Sequence, residues 1–444
     1  GENAIVDVPG DALEKTGSAS AFAISQMELN TTVISLNGPT GASGTTGMTG
    51  GDGGNITVEN TATLDTRASA DAVSGLNTEK NIGGCAVIAT GGSSASAYSL
   101  NIINTTMLGS NVRFLVINID SEHIGDIDLN ALWNEIQNEQ NGKKTLYLDQ
   151  KGTMVDITNS SSSFTRLAVS AISGDNIIDK AGGDGTIVTG DAFASAGLVN
   201  FHNTTVIGSQ ILVVIINIIG SLNGDIIVPS GERFIENAVK NTSSGLSGLS
   251  QTAVSDRANV TGSKVSVVAD TGNNTSTGPS RDQYTQTGGA YAQANEFLVA
   301  NTRMYMDYFY TILFNNYGYH QGGVDGLINP EETTSVRPYS SNSFTVADGF
   351  DTFSETAESG PEETKTTILN SAHASFDVDV LARTGGNTAL HISGETTVKT
   401  GTAVALANIV SFFNTTIFGN SLLFPIVNLF GSWVGNFVLE RPDV

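Results

Sequence analysis

The feature that most constrains the fold of this chain is a skeleton of small and amide residues that occurs five times. Its clearest occurrence covers residues 189–224. A Thr-Gly pair opens it, alanines follow on alternate positions, and an Asn-Thr-Thr segment comes next. Gly208 and Asn217 then stand at fixed offsets. Ungapped repetition of so many offsets indicates internal duplication, which constrains the class of fold more than any single residue does.

The five copies begin at Thr-Gly pairs, and we number them in chain order. Copies 1 and 4 depart from the skeleton after their Asn-Thr segment. We expect the residues that mark the repeat to be structural rather than catalytic. They are Thr16, Thr90, Thr189, Thr287, Thr400, Asn118, Asn217, Asn315 and Asn428.

The repeat extends upstream of each Thr-Gly pair, where an asparagine lies thirteen residues earlier in the pattern Ala-x-Ser/Thr-Gly-x-Asn. The chain itself starts with Gly1, Glu2 and Asn3, in mid-motif and without a methionine. This start predicts a processed or partial chain whose preceding strand a neighbouring subunit supplies. The repeat predicts five modules, at 1–71 (incomplete, with a Gly-rich connector at 38–54), 72–170, 171–268, 269–381 and 382–444.

Composition excludes several classes of function. Of 444 residues, only 14% are charged, and the net charge of −24 argues against binding to nucleic acid. It favours divalent cations or a solubilising acidic surface. The single cysteine, Cys85, excludes an internal disulfide and is expected to be a buried small hydrophobe. No apolar run is long enough for a membrane span.

The alternating alanines predict strands. Ala192, Ala194 and Ala196 recur with period two, which places them on one face of a strand. Residues 210–219 are apolar at nearly every position, which predicts a strand buried on both faces. Such a strand needs a covering layer or a subunit partner.

The predicted fold class is all-β, with five β-rich repeat modules that are β-solenoid-like or stacked sheets. Thr189, Asn203 and Asn217 are spaced by fourteen, so a fourteen-residue rung would stack them, and asparagines in rows can form amide ladders. Antiparallel β-sandwich modules are the alternative, because a turn at 208–209 could close a hairpin. Two inserts interrupt the pattern: a predicted helix at 128–141 and an acidic, exposed insert at 329–365.

With this register, the chain resembles the repeats of large secreted cell-surface proteins of uncultivated, small-genome bacteria of the Patescibacteria type. The resemblance rests on Thr-Gly-Asp-Ala-x-Ala-x-Ala, Asn-Thr-Thr, Gly-Ser, a hydrophobic strand and Gly-Asp, as in residues 189–225. It covers the five modules but not the inserts. It implies an extracellular location and a repetitive structural role, and it carries no catalytic residues.

Candidate chemistry is sparse. The acids Asp120, Asp126 and Asp128 could hold Ca²⁺, but they match no calcium loop, and the five histidines have no paired spacing for zinc. We therefore expect no catalytic residues, no metal site and no cofactor. Asn-x-Ser/Thr sequons make glycosylation a hypothesis. The candidate asparagines are Asn30, Asn55, Asn104, Asn159, Asn203, Asn241, Asn259, Asn273, Asn274 and Asn414.

The sequence favours a structural subunit of an extracellular filament or surface layer that self-assembles through β-strand and apolar contacts. Its expected partners are identical subunits, with glycans or divalent cations as further candidates. The alternative is a surface adhesin or carbohydrate-binding protein with the aromatic copy 4, including Tyr305 and Tyr308, as its contact face. An enzyme acting on polysaccharide is the third and weakest hypothesis.

Overall fold

A computed structural model places residues 3–29, 32–34, 55–108, 111–119, 122–129, 153–207, 210–218, 220–227, 249–278, 281–305, 308–316, 318–322, 324–325, 343–348, 351–355, 365–390, 392–413, 416–418, 421–429 and 432–435. The elements that these residues form are β-strands. The protein is therefore all-β in its described part.

We group the strands by the copy of the motif to which they belong. Copy 1 contributes β1 (Ala4–Val6), β2 (Ala12–Thr16), β3 (Ala19–Leu29) and β4 (Thr32–Ile34). Copy 2 contributes β5 (Asn55–Val73), β6 (Thr78–Ile82), β7 (Ala86–Thr90), β8 (Ser93–Ile103), β9 (Thr106–Leu108), β10 (Asn111–Ile119), β11 (Glu122–Ile124) and β12 (Ile127–Asp128). Copy 3 contributes β13 (Thr153–Ile172), β14 (Ile177–Ala181), β15 (Gly185–Val188), β16 (Ala192–His202), β17 (Thr205–Ile207), β18 (Gln210–Ile218), β19 (Ser221–Asn223) and β20 (Ile226–Ile227).

The second half of the chain follows the same order. Copy 4 contributes β21 (Leu249–Asp270), β22 (Thr275–Thr277), β23 (Gln283–Gln286), β24 (Ala290–Ala300), β25 (Arg303–Tyr305), β26 (Tyr308–Asn316), β27 (Tyr319–Gln321) and β28 (Val324–Asp325). Two strands, β29 (Ser343–Asp348) and β30 (Asp351–Glu355), lie between copies 4 and 5. Copy 5 contributes β31 (Lys365–His373), β32 (Phe376–Arg383), β33 (Thr388–Leu390), β34 (Thr396–Lys399), β35 (Ala403–Phe413), β36 (Thr416–Phe418), β37 (Ser421–Leu429) and β38 (Ser432–Val434).

Equivalent strands of successive copies lie side by side in parallel sheets. The sheet that we call the middle sheet has the order β3-β8-β16-β24-β35, one strand from each copy. The apolar sheet has the order β10-β18-β26-β37. The long-strand sheet contains β5, β13, β21, β31 and β32. Shorter sheets run β1-β6-β14-β22-β33 and β2-β7-β15-β23-β34.

In the middle and apolar sheets, the register of these pairs follows the sequence repeat residue for residue. Ala192 pairs with Ala290 in the middle sheet. Asn217 pairs with Asn118 on one side and Asn315 on the other in the apolar sheet. Each residue of the motif therefore stands beside its own counterpart in the next copy, and we call one copy's set of strands a layer.

Three sheets pack face to face. Alanines of the middle sheet lie against Leu167, Val169 and Val267 of the long-strand sheet in one apolar cluster. On its other face the middle sheet meets the apolar sheet, where a Cβ at Gly197 would lie 3.5 Å from Ile215. Small alanines let the sheets approach closely, and a strand covered on both faces can be apolar throughout. In the apolar sheet, residues Val213–Ile218 are fully buried, so both faces of this strand are covered.

The pairing corrects two expectations. The fourteen-residue rung is wrong, because Asn217 stacks on Asn315, 98 residues away, and not on Asn203. The antiparallel alternative is wrong for the strands beside 208–209: β17 and β18 pair with other copies in different sheets. Among the described strands only β29 and β30 form an antiparallel pair.

The inserts are largely outside the described residues. The predicted helix at 128–141 falls there from residue 130 onwards, as does the Gly-rich connector at 38–54. Within the acidic insert at 329–365, β29 extends the long-strand sheet by pairing with β31, and β30 pairs back onto β29.

Candidate functional site: ladders between layers and open sheet edges

A ladder of asparagine side chains crosses all five layers. The Nδ2 atom of Asn77 donates to Oδ1 of Asn176 at 2.9 Å, and Asn176 donates in the same way to Asn274. Asn3 donates to Asn77 at 3.3 Å, and Asn274 donates to Asn387 at 2.9 Å. Every donor points towards the later copy, so the ladder has a direction. The asparagine of each Gly-x-Asn segment is thus a contact between layers.

Serine and threonine hydroxyls donate hydrogen bonds to backbone carbonyls of the same turns. Ser74 Oγ donates to the carbonyl of Gly91 within copy 2 at 2.6 Å. Thr90 Oγ1 donates to the carbonyl of Ser173 in the next layer at 2.9 Å. The corresponding donors in other copies are Ser173, Thr271 and Thr384 within a layer, and Thr16, Thr189 and Thr287 between layers. The sequence pattern contains these hydroxyl residues, but spacing alone does not reveal which carbonyls they bind.

Glycine in the Ser/Thr-Gly step is required by the approach of the next layer. A Cβ at Gly75 would lie 1.9 Å from the carbonyl oxygen of Gly174, and a Cβ at Gly174 would lie 2.1 Å from that of Gly272. Gly272 meets Gly385 in the same way at 2.0 Å. A Cβ added at Gly385 would have no atom within 4 Å. Any larger residue at the inner three positions forces layers apart.

The asparagine of the Asn-Thr-Thr segment has a backbone role. Asn104, Asn203 and Asn301 all have positive φ angles, of 49°, 47° and 50°. Asparagine adopts this left-handed conformation more readily than other residues with a Cβ, which explains its recurrence at the turn. Asn203 also donates to Oδ1 of Asn301 at 3.2 Å.

A second polar network is buried between the middle and apolar sheets. Asn315 donates to Asn217 Oδ1 at 2.7 Å, and Asn217 donates to the Tyr98 hydroxyl at 2.5 Å. Gln293 of the middle sheet donates to Asn315 Oδ1 at 2.8 Å. Inside an otherwise apolar interface, such satisfied polar groups fix one register, because a slipped strand would leave them unpaired.

Two buried carboxyl groups occupy the interior between layers 1 and 2. Glu79 is fully buried between Ile5 and Ile178 of the neighbouring strands, and Glu14 is buried beside Ile88. Burial, together with the nearby Glu14 carboxyl, raises the pKa of Glu79 to about 7. Burial also raises the pKa of Glu14. Neither residue was identified as buried from the sequence. The available signal was that Glu79 occupies the repeat position where copies 1 and 3 have Ile5 and Ile178.

Two further ionisable groups are buried deeper in the stack. Burial raises the pKa of Glu296 to about 7 and lowers that of His202 to about 3. The Nε2 atom of His202 lies 3.0 Å from Ser163 Oγ. Both side chains of this Ser-His pair are buried, so no substrate reaches them in the folded chain.

In the described part of the chain, the first and last strand of each sheet are paired on one side only. β1, β2, β3 and β4 are the first strands of their sheets, and β33 to β38 are the last. With the exceptions of Ile177 and Tyr319, the exposed large hydrophobic side chains of the described chain lie in a first or last strand. They are Val6, Leu13, Phe22, Ile24, Met27 and Ile124, and Leu381, Leu390, Val398, Ile409 and Val434.

The glycosylation candidates fall into three groups. Asn104, Asn159, Asn203 and Asn274 are buried, so the folded chain leaves no room for a glycan on them. Asn273 is half-buried with a positive φ of 55°. The side chains of Asn30, Asn55, Asn241, Asn259 and Asn414 lie outside the described part. Glycosylation stays a prediction.

The remaining candidates do not converge on a site. Asp126 and Asp128 are exposed, and Asp120 lies outside the described residues. The part of the chain that the structure describes contains no group of three or more His, Cys, Asp or Glu side chains that could hold a metal ion. Cys85 is a free, half-buried thiol. The side chains of Tyr305 and Tyr308 are not among those described.

Comparisons of the chain with protein-family models, with curated proteins and with solved structures find no match. The resemblance to bacterial surface repeats therefore stays a prediction. In the described residues, no helix has both the length and the apolar character that a membrane crossing requires.

Proposed function

We propose that this chain is a structural subunit of an extracellular filament or surface layer, built as a β-solenoid of five motif copies and self-assembling through β-strand and apolar contacts. The observation that carries the proposal is the contact between copies. The same in-register pairing and asparagine ladder recur from each copy to the next, and the glycine approach recurs from copy 2 onwards. A repetitive contact of this kind extends a structure by addition of like units.

The open ends support self-assembly. An edge strand presents unpaired N–H and C=O groups, which are a template for pairing with another chain. In this protein the edges also carry exposed large hydrophobic side chains, such as Leu13 (58% exposed) and Val434 (56% exposed). Soluble monomers usually blunt such edges with charge, proline or a covering element. Two edges with these features, one at each end of the stack, fit contacts between subunits.

The extracellular location is supported by composition and by the family resemblance. A low content of charged residues and a chain rich in serine, threonine, asparagine and glycine are typical of secreted β-proteins. An antibody against the chain is expected to label intact, unpermeabilised source cells. Labelling only after permeabilisation would contradict this location.

Electron microscopy of the purified chain tests self-assembly. We expect filaments or sheets that grow when salt screens the mutual repulsion of chains with a net charge of −24. A monodisperse monomer at every salt concentration would rule out the structural role proposed.

A further inference from the structure

The two open ends of the stack differ in chemistry. Asn3 donates through its Nδ2 atom to Asn77 and is the first asparagine of the ladder among the described residues. Asn387 accepts from Asn274, and its Nδ2 donates within its own turn to the Thr384 carbonyl at 2.9 Å. Each internal asparagine makes that local bond and a bond to the next copy. Within the described part of the chain, the ladder therefore runs from the Oδ1 acceptor of Asn3 at one end to the Nδ2 donor of Asn387 at the other.

We infer that these two ends are the halves of one interface, which joins the copy 5 edge of one chain to the copy 1 edge of a second chain, head to tail and in the internal register. The inference rests on the proposed self-assembly and adds its polarity and register. Its occupant is a second copy of this chain, because continuity with the four internal contacts between layers specifies the partner's residues.

The internal register fixes the partners across the interface. Ala4 pairs with Thr78, and Thr275 pairs with Thr388, so Thr388 of one chain stands beside Ala4 of the next. Leu390 (48% exposed) then stands beside Val6 (49% exposed). The middle sheet keeps the same register. Leu406 pairs with Gln293 of copy 4, and Phe22 pairs with Ser96 of copy 2, so Leu406 of one chain stands beside Phe22 of the next. The contact covers exposed apolar side chains from both ends.

Two like-charge pairs also result. Glu395 stands beside Asp11, in a row where the amide of Glu395 already donates to the Asp282 carboxylate at 2.8 Å. The amide of Asp282 donates to the Asp184 carboxylate at 3.2 Å in the same manner, so this row tolerates stacked acids. Lys399 stands beside Lys15 on the surface. Salt is therefore expected to strengthen the contact.

The hairpin of β29 and β30 partly covers the copy 5 end. β29 pairs with β31 on the side away from β21, at the level of the next chain's layer 1. That layer contributes no described strand to the long-strand sheet, so β29 fits there. β30 lies one strand further out, where β5 of the second chain would pair. β30 must therefore leave when the interface closes, which makes it a cover on this edge.

A charge swap tests the register. In the row that contains Val6 and Leu390, the adjacent layers already place Lys80 3.7 Å from Asp179. Val6→Lys with Leu390→Lys is expected to slow assembly about tenfold or more, because like charges meet across the contact. Val6→Lys with Leu390→Glu is expected to restore it. Ile177→Lys, an exposed site away from both ends, is the matched control. Equal assembly of both double variants would overturn the register.

Cysteine cross-linking tests the polarity. In a Cys85→Ser chain, Ala4→Cys and Thr388→Cys lie on paired strands about 5 Å apart between copies, within disulfide range. We expect the double variant to form a ladder of covalent oligomers and the two single variants to cross-link only when mixed. Homodimers of either single variant would overturn the head-to-tail order. Polymers without cross-links would overturn this interface yet leave the structural role standing, whereas absence of any polymer would overturn both.

Replacement of 351–355 by a Gly-Ser linker tests the cover. Removal of β30 frees the position for β5 of the next chain, so we expect a shorter lag before assembly. An unchanged or longer lag would contradict its role as a cover.

Discussion

The inner and outer layers of this protein carry nearly the same motif but different degrees of burial. In copy 3, Ala192, Ala194 and Ala196 are completely buried. Their counterparts in β3 are only partly buried, and Ala403 in β35 is exposed. The local sequence and strand are equivalent, so the neighbouring layers account for the difference. In this fold a residue's energetic weight depends on whether another copy lies beside it, as nearest-neighbour models of repeat proteins describe.

The largest expected effect uses two glycines of the same motif. Gly174→Ala places a methyl group about 2 Å from the carbonyl of Gly272, and we expect it to lower the free energy of unfolding by about 3 kcal/mol. Gly385→Ala, in the outer layer, meets nothing and should change stability by less than about 0.5 kcal/mol. Urea unfolding of both variants measures the contrast. Equal losses would mean that the layers do not approach as described.

In the asparagine ladder, too, a substitution in an inner layer should lower the stability more than one in an outer layer. Asn176→Ala removes bonds to both neighbouring layers and leaves buried polar groups without partners, at a cost of about 2–3 kcal/mol. Asn3→Ala removes one side-chain bond to one layer, so its cost should be about 1 kcal/mol or less. Chemical denaturation compares the two. A larger loss for Asn3 than for Asn176 would be incompatible with a ladder through the stack.

The buried Glu79 carboxyl between layers 1 and 2 should make the free energy of unfolding depend on pH. The folded chain holds the Glu79 proton more tightly than the unfolded chain does, because its pKa rises from 4.5 to about 7. The resulting stability is complete below about pH 4.5 and is lost as pH rises through 7. Glu79→Gln should therefore stabilise the protein by up to about 2 kcal/mol at about pH 8 and much less at about pH 5.

Thermal unfolding at both pH values measures this effect. Glu122→Gln, at an exposed side chain, is the control and should show no difference between them. A Glu79→Gln variant with the same pH dependence as the parent would show that Glu79 is ionised at no cost in the folded chain.

The smallest expected effect concerns the exposed edge. Leu13→Ser replaces a side chain that is 58% exposed and should change the free energy of unfolding by less than about 0.5 kcal/mol. Light scattering should nevertheless show weaker self-association, because the substitution removes apolar area from the edge. Lower stability with unchanged association would mean that Leu13 belongs to the core and not to a contact surface.

The sequence predicts the strands better than their partners. Period-two alanines identify the middle sheet, and the unbroken apolar run at 210–219 identifies a strand covered on both faces. The stacking of asparagines is also predictable, since they recur at equal offsets. The partner of each asparagine is not predictable, because the spacing of fourteen residues between Asn203 and Asn217 does not show where the chain turns. Only the pairing shows that Asn217 meets Asn315.

Burial of charge is the feature least visible in sequence. Glu79 lies in a short polar segment, next to Thr78 and Lys80, that is typical of a surface turn. It is buried because Ile5 and Ile178 of adjacent layers flank it, and both are distant in sequence. Contacts between residues that are a whole repeat apart cannot be recognised from the local sequence. The outer-layer side chains are misleading in the opposite way, since Phe22 and Ile409 look like core residues but are exposed.

The central claim is that the five copies stack as consecutive layers and do not form five separate domains along a line. A distance between spin labels at Val6→Cys and Leu390→Cys, in a Cys85→Ser chain diluted with unlabelled protein, tests it most directly. These sites lie in the first and last of five paired strands, so four spacings of about 4.8 Å predict a narrow distance of about 19 Å between their Cα atoms. A broad distribution centred beyond about 40 Å, as a row of independently folded modules would give, would contradict the account.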